Sequence, residues 1–456
     1  FGAGLLSKEN AAVLPAFVLA GDLAREGRRG IRRSLPTLAL MAPAGLAVLA
    51  ARLAVVPGLP PDSPLISVFG GVDPVTRILT ATGVLGRYLW LLLVPLRLSA
   101  DYSFHQIPLI ESVANPLFLA SATVLAMLTL GAALLVRRGR MSGLAIFVFL
   151  LAIFPVSNIP VSIGTVMGER LLYLPSVGLC LAVPFLWSET RIRERERALR
   201  LLAVSTLGVV CLLYSARILT RTGDWKDNFT LFSATVRTSP RSAKAWYNLG
   251  VAQDERGEAA AAMSDYRKAV DIKADMAQAH RNLGLDMLAA GRASEALGHL
   301  REAARLDPGI ADIFSDVGIA LDRMGRLEEA RKAFEEEISR RPDGPRAHYN
   351  LGTVLLEQGR PGEAAEALRR AVSLAPGDPD ARIQLGLALS QAGRFDEALA
   401  SMEKALVLDP GAAGALEDLA RSAKAAGRAD IAARALQLAR GRHGEAGGDG
   451  QDVKEK

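Results

Sequence analysis

The chain has 456 residues, half of them hydrophobic, and a formal net charge of +6. That charge is unevenly spread: up to Gly223 there are 21 Lys/Arg against 11 Asp/Glu, and beyond it 33 against 37. Arginines clustered at the ends of apolar runs orient membrane proteins, so the balance excludes a nucleic-acid reading, and Cys180 and Cys211, both in apolar runs, make no disulfide framework.

Phe1 opens a stretch that already reads as helix, with neither a basic n-region nor a small-residue cleavage site. The expectation is a piece of a longer chain. A helix needs about 20 apolar residues to cross the hydrocarbon of a bilayer. Runs of that kind fall at 3–23, 35–57, 77–98, 114–136, 142–162, 170–188 and 201–219. Arginine clusters stand at Arg25–Arg33, Arg137–Arg140 and Arg191–Arg200, and the positive-inside rule makes all three cytoplasmic.

Parity constrains the rest. Three runs separate the first two clusters, where an even number of crossings is required. The 77–98 run is broken by Arg77, Arg87 and Arg97 and weakened by Gly83 and Gly86. It is expected as a re-entrant or interfacial helix on the outer side. The segment from Gly58 to about Ser112, with Asp101 and His105 in "LSADYSFHQIP", is then external. The 142–162 run leads out and 170–188 leads back, so "GTVMGER" is an external turn entering a helix. The 201–219 run leads out again and carries everything after it to the periplasm or lumen. Two charged pairs share that outer side: Lys8/Glu9 in "LLSKENAAVLP" and Glu169/Arg170. Charges at this depth are costly and mark a site or neutralise one another; the bland alternative is snorkelling to the interface.

Residues 224–240, "DWKDNFTLFSATVRTSP", read as a lone helix capping the C-terminal array, so 1–223 is taken as the membrane domain and 224–242 as cap and linker. From 243 the sequence repeats every 34 residues: Gly250, Gly284, Gly318, Gly352, Gly386; Gly257 through Gly427; Pro308, Pro342, Pro376, Pro410. This is the period of the tetratricopeptide repeat. The first glycine lets two antiparallel helices touch, the second ends the first helix in left-handed backbone, and proline stops the second helix. Six repeats fit 243–446, the last with Ala420 for glycine, and 447–456 is expected to be a disordered tail. The fold class is therefore all-α, a multi-spanning helical membrane domain followed by a tetratricopeptide solenoid.

One polar column runs through the repeats: Asn248, Asn282, Asp316, Asn350 and Gln384. It resembles the asparagine ladder of O-GlcNAc transferase arrays, whose amides grip an extended peptide backbone; the plainer reading is a solvated helix face. His280 and His348 sit where other repeats carry Trp246 or Phe314, as packing residues rather than ligands, and no metal site is expected from five scattered histidines.

"LLSKENAAVLP", "LSADYSF", "FPVSNIPVSIGTVMGERLLYLPSVG" and a tetratricopeptide C-terminus together resemble the transmembrane-and-tetratricopeptide O-mannosyltransferases and their bacterial relatives. These belong to the polyprenyl-phosphate-dependent, C-type glycosyltransferase superfamily. The resemblance implies a sugar such as mannose, a polyprenyl-phosphate donor, protein acceptors, and a transfer site on the exoplasmic face; the Arg-, Ala- and Gly-rich composition suggests a bacterium, with the chain in the inner membrane and the repeats in the periplasm, where a eukaryote would use the endoplasmic reticulum. The resemblance places the acidic catalytic residue upstream of Phe1, leaving Glu169 and Asp101 as the candidates within the chain. Arg170 would hold the leaving lipid phosphate through bidentate contact, and Lys8 would add a point charge. Glu9, Tyr173 and His105 complete the candidate donor site. No Gly-rich phosphate loop, CxxC, HExxH or G-x-S-x-G competes. The alternative from another class is a non-catalytic, membrane-anchored repeat scaffold for an envelope or polysaccharide complex. A transporter is disfavoured, because no inverted repeat of broken helices is visible.

Overall fold

A computed structural model describes residues 72–95, 98–99, 102, 106–159, 167–189 and 197–446, with isolated positions between 22 and 43. Every regular element among them is a helix. The chain divides into two compact units, 1–274 and 275–456.

In the first unit, α1 (Pro74–Leu93) begins where Asp73 accepts hydrogen bonds from the Val75 and Thr76 amides, with Pro74 pre-set for the first turn. α2 (Pro116–Arg137) starts the same way on Asn115 and ends at Gly139, φ +70°. α3 (Met141–Ile153) continues as a 3-10 turn through Val156, where Pro155 removes an amide donor and Asn158 takes φ +62°. α4 (Tyr173–Glu189) comes after a 3-10 turn at Glu169–Leu172. α5 (Arg197–Asp224) is the longest helix among the described residues of the unit, and α6 (Asn228–Thr238) opens on a capping box between Asp227 and Thr230. α7 (Ala243–Asp254) and α8 (Ala259–Ile272) form a helical hairpin.

α1 through α4 pack in succession, and two glycines set the distances. A Cβ on Gly143 would lie 2.7 Å from the Val136 nitrogen of α2, and one on Gly178 would lie 2.5 Å from the Phe149 nitrogen of α3. The bundle closes around Tyr88 and Phe149, both fully buried, with Val84, Leu85 and Ile153. The Glu189 carboxylate is held by the amide and hydroxyl of Ser142, joining the end of α4 to the start of α3.

Among the described residues, two helices are long and apolar enough to cross a membrane: Pro116–Arg137 and Val204–Asp224 of α5. Few residues of either helix are buried. The other runs behave differently. The 142–162 run yields the shorter Met141–Val156, and the 170–188 run a helix of 17 residues. Residues 77–93 form part of one unbroken helix, without the reversal of a re-entrant loop. The runs 3–23 and 35–57 lie largely outside the described residues.

The second unit is a row of helical hairpins: α9 (Ala277–Ala289) with α10 (Ala293–Leu306), α11 (Ile313–Arg323) with α12 (Leu327–Arg340), α13 (Pro345–Glu357) with α14 (Pro361–Leu374), α15 (Pro379–Gln391) with α16 (Phe395–Leu408), and α17 (Ala413–Ala425) with α18 (Ala429–Ala446). First helices touch first helices along the row, α9 to α11 to α13 to α15 to α17. Within each of these hairpins but the last, which carries Ala420 instead, a glycine admits one large side chain. A Cβ on Gly284, Gly318 or Gly386 would lie 2.5–2.7 Å from Leu300, Phe334 or Met402. The glycines that end the first helices, Gly257 through Gly427, adopt φ of +71° to +78°, with open space around each; backbone torsion alone demands them.

One slot carries three chemistries for one task. Trp246 in the first unit, and His348 and Arg382 in the second, each donate to the carbonyl of the proline six residues upstream: Pro240, Pro342 and Pro376. His348 therefore serves the repeat corner, with its Nε2 as the protonated nitrogen.

Candidate functional site

The turn marked by its adjacent acid and base is pinned from three sides. Gly168 is extended, and Glu169–Leu172 form the 3-10 turn that runs into α4. Met167 and Leu172, flanking the pair, are buried in the core with Val84, Leu85 and Tyr88. The Tyr88 hydroxyl accepts from the Gly168 amide at 2.7 Å and donates to the Gly168 carbonyl at 3.3 Å. A tyrosine buried in a core needs such a partner for its hydroxyl, and here the partner is the backbone just before Glu169. The Glu169–Arg170 backbone is thus carried by α1 and α4 together. Tyr173, the first residue of α4, is 79% exposed.

Lys8, Glu9, Asp101 and His105 lie outside the described residues. Tyr88 is not among the residues that sequence reasoning marks. The signal available is a hydroxyl-bearing aromatic in the middle of an otherwise apolar run.

In the second unit the polar column stands on successive first helices. Asn282, Asn350 and Gln384 are half-buried on α9, α13 and α15, and Asn248 holds the matching place on α7 of the first unit. Asp316 on α11 differs. It is fully buried, accepting from Arg281 Nε at 2.7 Å and from an Arg346 terminal nitrogen at 3.0 Å. Burial pushes its carboxyl above the ordinary range, although both guanidinium groups pull the other way. Its two oxygens are thus engaged within the protein, unlike the amide of Asn350. Asn350 Nδ2 has no hydrogen-bond partner.

His280 is buried, with its Nδ1 3.0 Å from Nδ1 of His299. Among the described residues no group of three His, Cys, Asp or Glu could hold a metal ion.

Two further carboxyls stand near the ends of the first helices α11 and α13. Burial raises Asp322, and burial together with the Asp322 charge raises Glu357. A carboxyl raised on folding contributes stability while protonated and loses it as pH climbs through its folded value. Asp322→Asn is therefore expected to raise the melting temperature near pH 7 by about 1–3 °C. The gap should close below about pH 4. Differential scanning fluorimetry across that range checks both halves.

Comparison with known proteins agrees with this architecture. The family described as Protein O-mannosyl-transferase TMTC, DUF1736, matches residues 71–129, and tetratricopeptide repeats match 215–277, 316–379 and 383–448. Human protein O-mannosyl-transferase TMTC3 is 30% identical over 204 residues, 44% of this chain and 22% of its own. Mouse TMTC1 is 31% identical over 43% of this chain and 21% of its own. Tmtc3 of Drosophila melanogaster is 28% identical over 41% and 20%. The match thus spans about a fifth of the length of these relatives. Among solved structures, the tetratricopeptide protein YrrB aligns with a TM-score of 0.37 at 20% identity, over 41% of this chain and 96% of its own. The chain joins a DUF1736 segment of the TMTC type to a run of tetratricopeptide repeats, and its curated relatives are protein O-mannosyl-transferases.

Proposed function

We propose that this chain forms part of a membrane glycosyltransferase. It moves a sugar, mannose by analogy with its relatives, from a polyprenyl-phosphate donor to hydroxyls of protein acceptors on the exoplasmic face. The observation that carries this reading is one contact. The DUF1736 match contains α1, and Tyr88 of α1 holds the turn bearing Glu169 and Arg170. A guanidinium on a fixed backbone can stabilise the phosphate as it leaves, which is where positive charge lowers the barrier. Glu169 orients Arg170 or the acceptor, Tyr173 donates a hydrogen bond from its exposed position, and Lys8, Glu9, Asp101 and His105 complete the rim.

The repeats present the acceptor. On the second unit Asn282, Asn350 and Gln384 offer amides to an extended peptide, and the unpartnered Asn350 Nδ2 suits a peptide carbonyl. In a bacterium the protein lies in the inner membrane with its repeats in the periplasm.

In the full-length protein, Arg170→Ala should lower transfer about 10²–10³-fold while leaving membrane insertion intact, and Arg170→Lys should recover part of it. Assay with radiolabelled lipid-linked sugar and a serine/threonine peptide checks this. Unchanged turnover in Arg170→Ala removes the phosphate role and with it this reading.

A further inference from the structure

A chain of contacts in the first unit joins the corner that launches the first helical hairpin to the turn bearing Glu169 and Arg170. The corner lies between α6 and α7. There the Ser242 hydroxyl accepts from the Ala245 amide, and the Ser242 amide donates to the Ser239 carbonyl. Two bonds reach from this corner to residues 140 and 135 positions earlier. The Ser239 hydroxyl donates to that of Ser99 at 2.7 Å, and the Arg241 amide donates to Gln106 Oε1 at 3.3 Å. The helix before the corner grips the same part of the bundle: Tyr214 and Arg217 of α5 donate to the carbonyls of Leu92, Leu93 and Pro95, at the end of α1. On the bundle side, the Ser99 amide donates to the Tyr102 hydroxyl. Tyr102, and Ile107 beside Gln106, pack in the same core cluster as Tyr88, Met167 and Leu172, the residues that fix the turn.

Ser99 and Ser239 are 2% and 0% exposed. A buried hydroxyl pair fixes one alignment of the segments that carry it. A slip that parts the pair costs each hydroxyl a hydrogen bond that water cannot replace, whereas two methyl groups would tolerate it. Group transfer is sensitive to such alignment, because reacting groups about an ångström out of place lose most of the rate. We infer that Ser239 and Gln106 are positioning residues for the sugar-transfer site. The corner between α6 and α7 sets the Glu169–Arg170 turn through Ser99, Tyr102 and Ile107, and neither positioning residue touches donor or acceptor. The inference rests on the proposed transfer reaction and adds to it the means by which α7 and the turn keep one spacing.

The test uses the full-length protein in nanodiscs, with lipid-linked sugar and a serine/threonine peptide as substrates and hydrogen exchange of the turn as a second readout. Ser99→Ala combined with Ser239→Ala removes both hydroxyls, so its melting temperature should stay nearer the unaltered value than that of either single change. Its kcat should nevertheless fall about tenfold or more. The peptide KM should stay within about twofold, the split expected when alignment rather than binding is lost. Amides of the turn should exchange faster. Gln106→Ala should behave in the same way, and Gln106→Glu, whose carboxylate still accepts from the Arg241 amide, should restore the rate. An unaltered kcat in the double-serine variant, a rate that Gln106→Glu fails to restore, or turn amides that exchange as before would overturn the inference. Full rate in these variants beside an inactive Arg170→Ala refutes the positioning role alone. An unaltered protein that transfers no sugar refutes the transfer reading and this inference with it.

Discussion

Phe334→Ala should destabilise the second unit by about 3–5 kcal/mol. The ring is 1% exposed, and it fills the space left by Gly318, whose missing Cβ would lie 2.5 Å from the ring edge. Removing the ring leaves a void between α11 and α12 that backbone helices cannot readily close. The reciprocal change is smaller: Gly318→Ala overpacks the same contact and should cost about 1–3 kcal/mol. Because the two positions share one volume, Gly318→Ala combined with Phe334→Leu should cost less than the sum of the two single changes. Hydrogen exchange measured by mass spectrometry reads the effect locally, since a repeat depends on its neighbours only. Amides of α11 and α12 should lose protection while those of α17 and α18 keep it.

Gly178→Ala should be the most damaging small change in the first unit. Its Cβ would meet the backbone of α3, at 2.5 Å from the Phe149 nitrogen and 2.8 Å from the Ala145 carbonyl, and backbone cannot swing aside as a side chain can. α4 must move off α3, and with it go the packing of Phe149 and the bond between Ser142 and Glu189. The expected loss is at the upper end of the roughly 1–3 kcal/mol typical of overpacking. The Glu169–Arg170 turn, about two helical turns before Gly178, should loosen as well. A melting curve in nanodiscs and the rate of tryptic cleavage after Arg170 report the two consequences separately. A melting temperature equal to that of the unaltered protein would show that the close approach of α3 and α4 is unimportant.

The repeat half is readable because its rules are local and periodic. A glycine at φ +71° to +78° and a glycine facing a large residue leave a mark every 34 residues that needs no tertiary information. Asp316 is not readable in this way. Its place in the column looks like that of the amides, yet its partners Arg281 and Arg346 come from the helices before and after it, 35 and 30 residues away. The available hint is a charge change: an acid replaces an amide at one position, and basic residues appear in both neighbouring repeats. In the membrane half, apolar length overstates helix length. The 142–162 run contains Pro155 and Asn158, and the helix ends there, because a missing donor and a left-handed residue stop it regardless of hydrophobicity. The turn at Glu169 is visible through its charges. Its anchor Tyr88 is hidden, because a residue 80 positions away leaves no local trace.

The junction between α5 and α6 has a consequence for reach. Only residues 225–227 separate the two helices, and the stretch of chain after α6 is itself fastened. The hydroxyl of Ser239 bonds that of Ser99, and the Arg241 amide bonds Gln106. With no slack there, the hairpin of α7 and α8 behaves as a bracket rather than a leash. A pull on that hairpin is therefore passed straight to α5 and α6, with no loose chain to take it up.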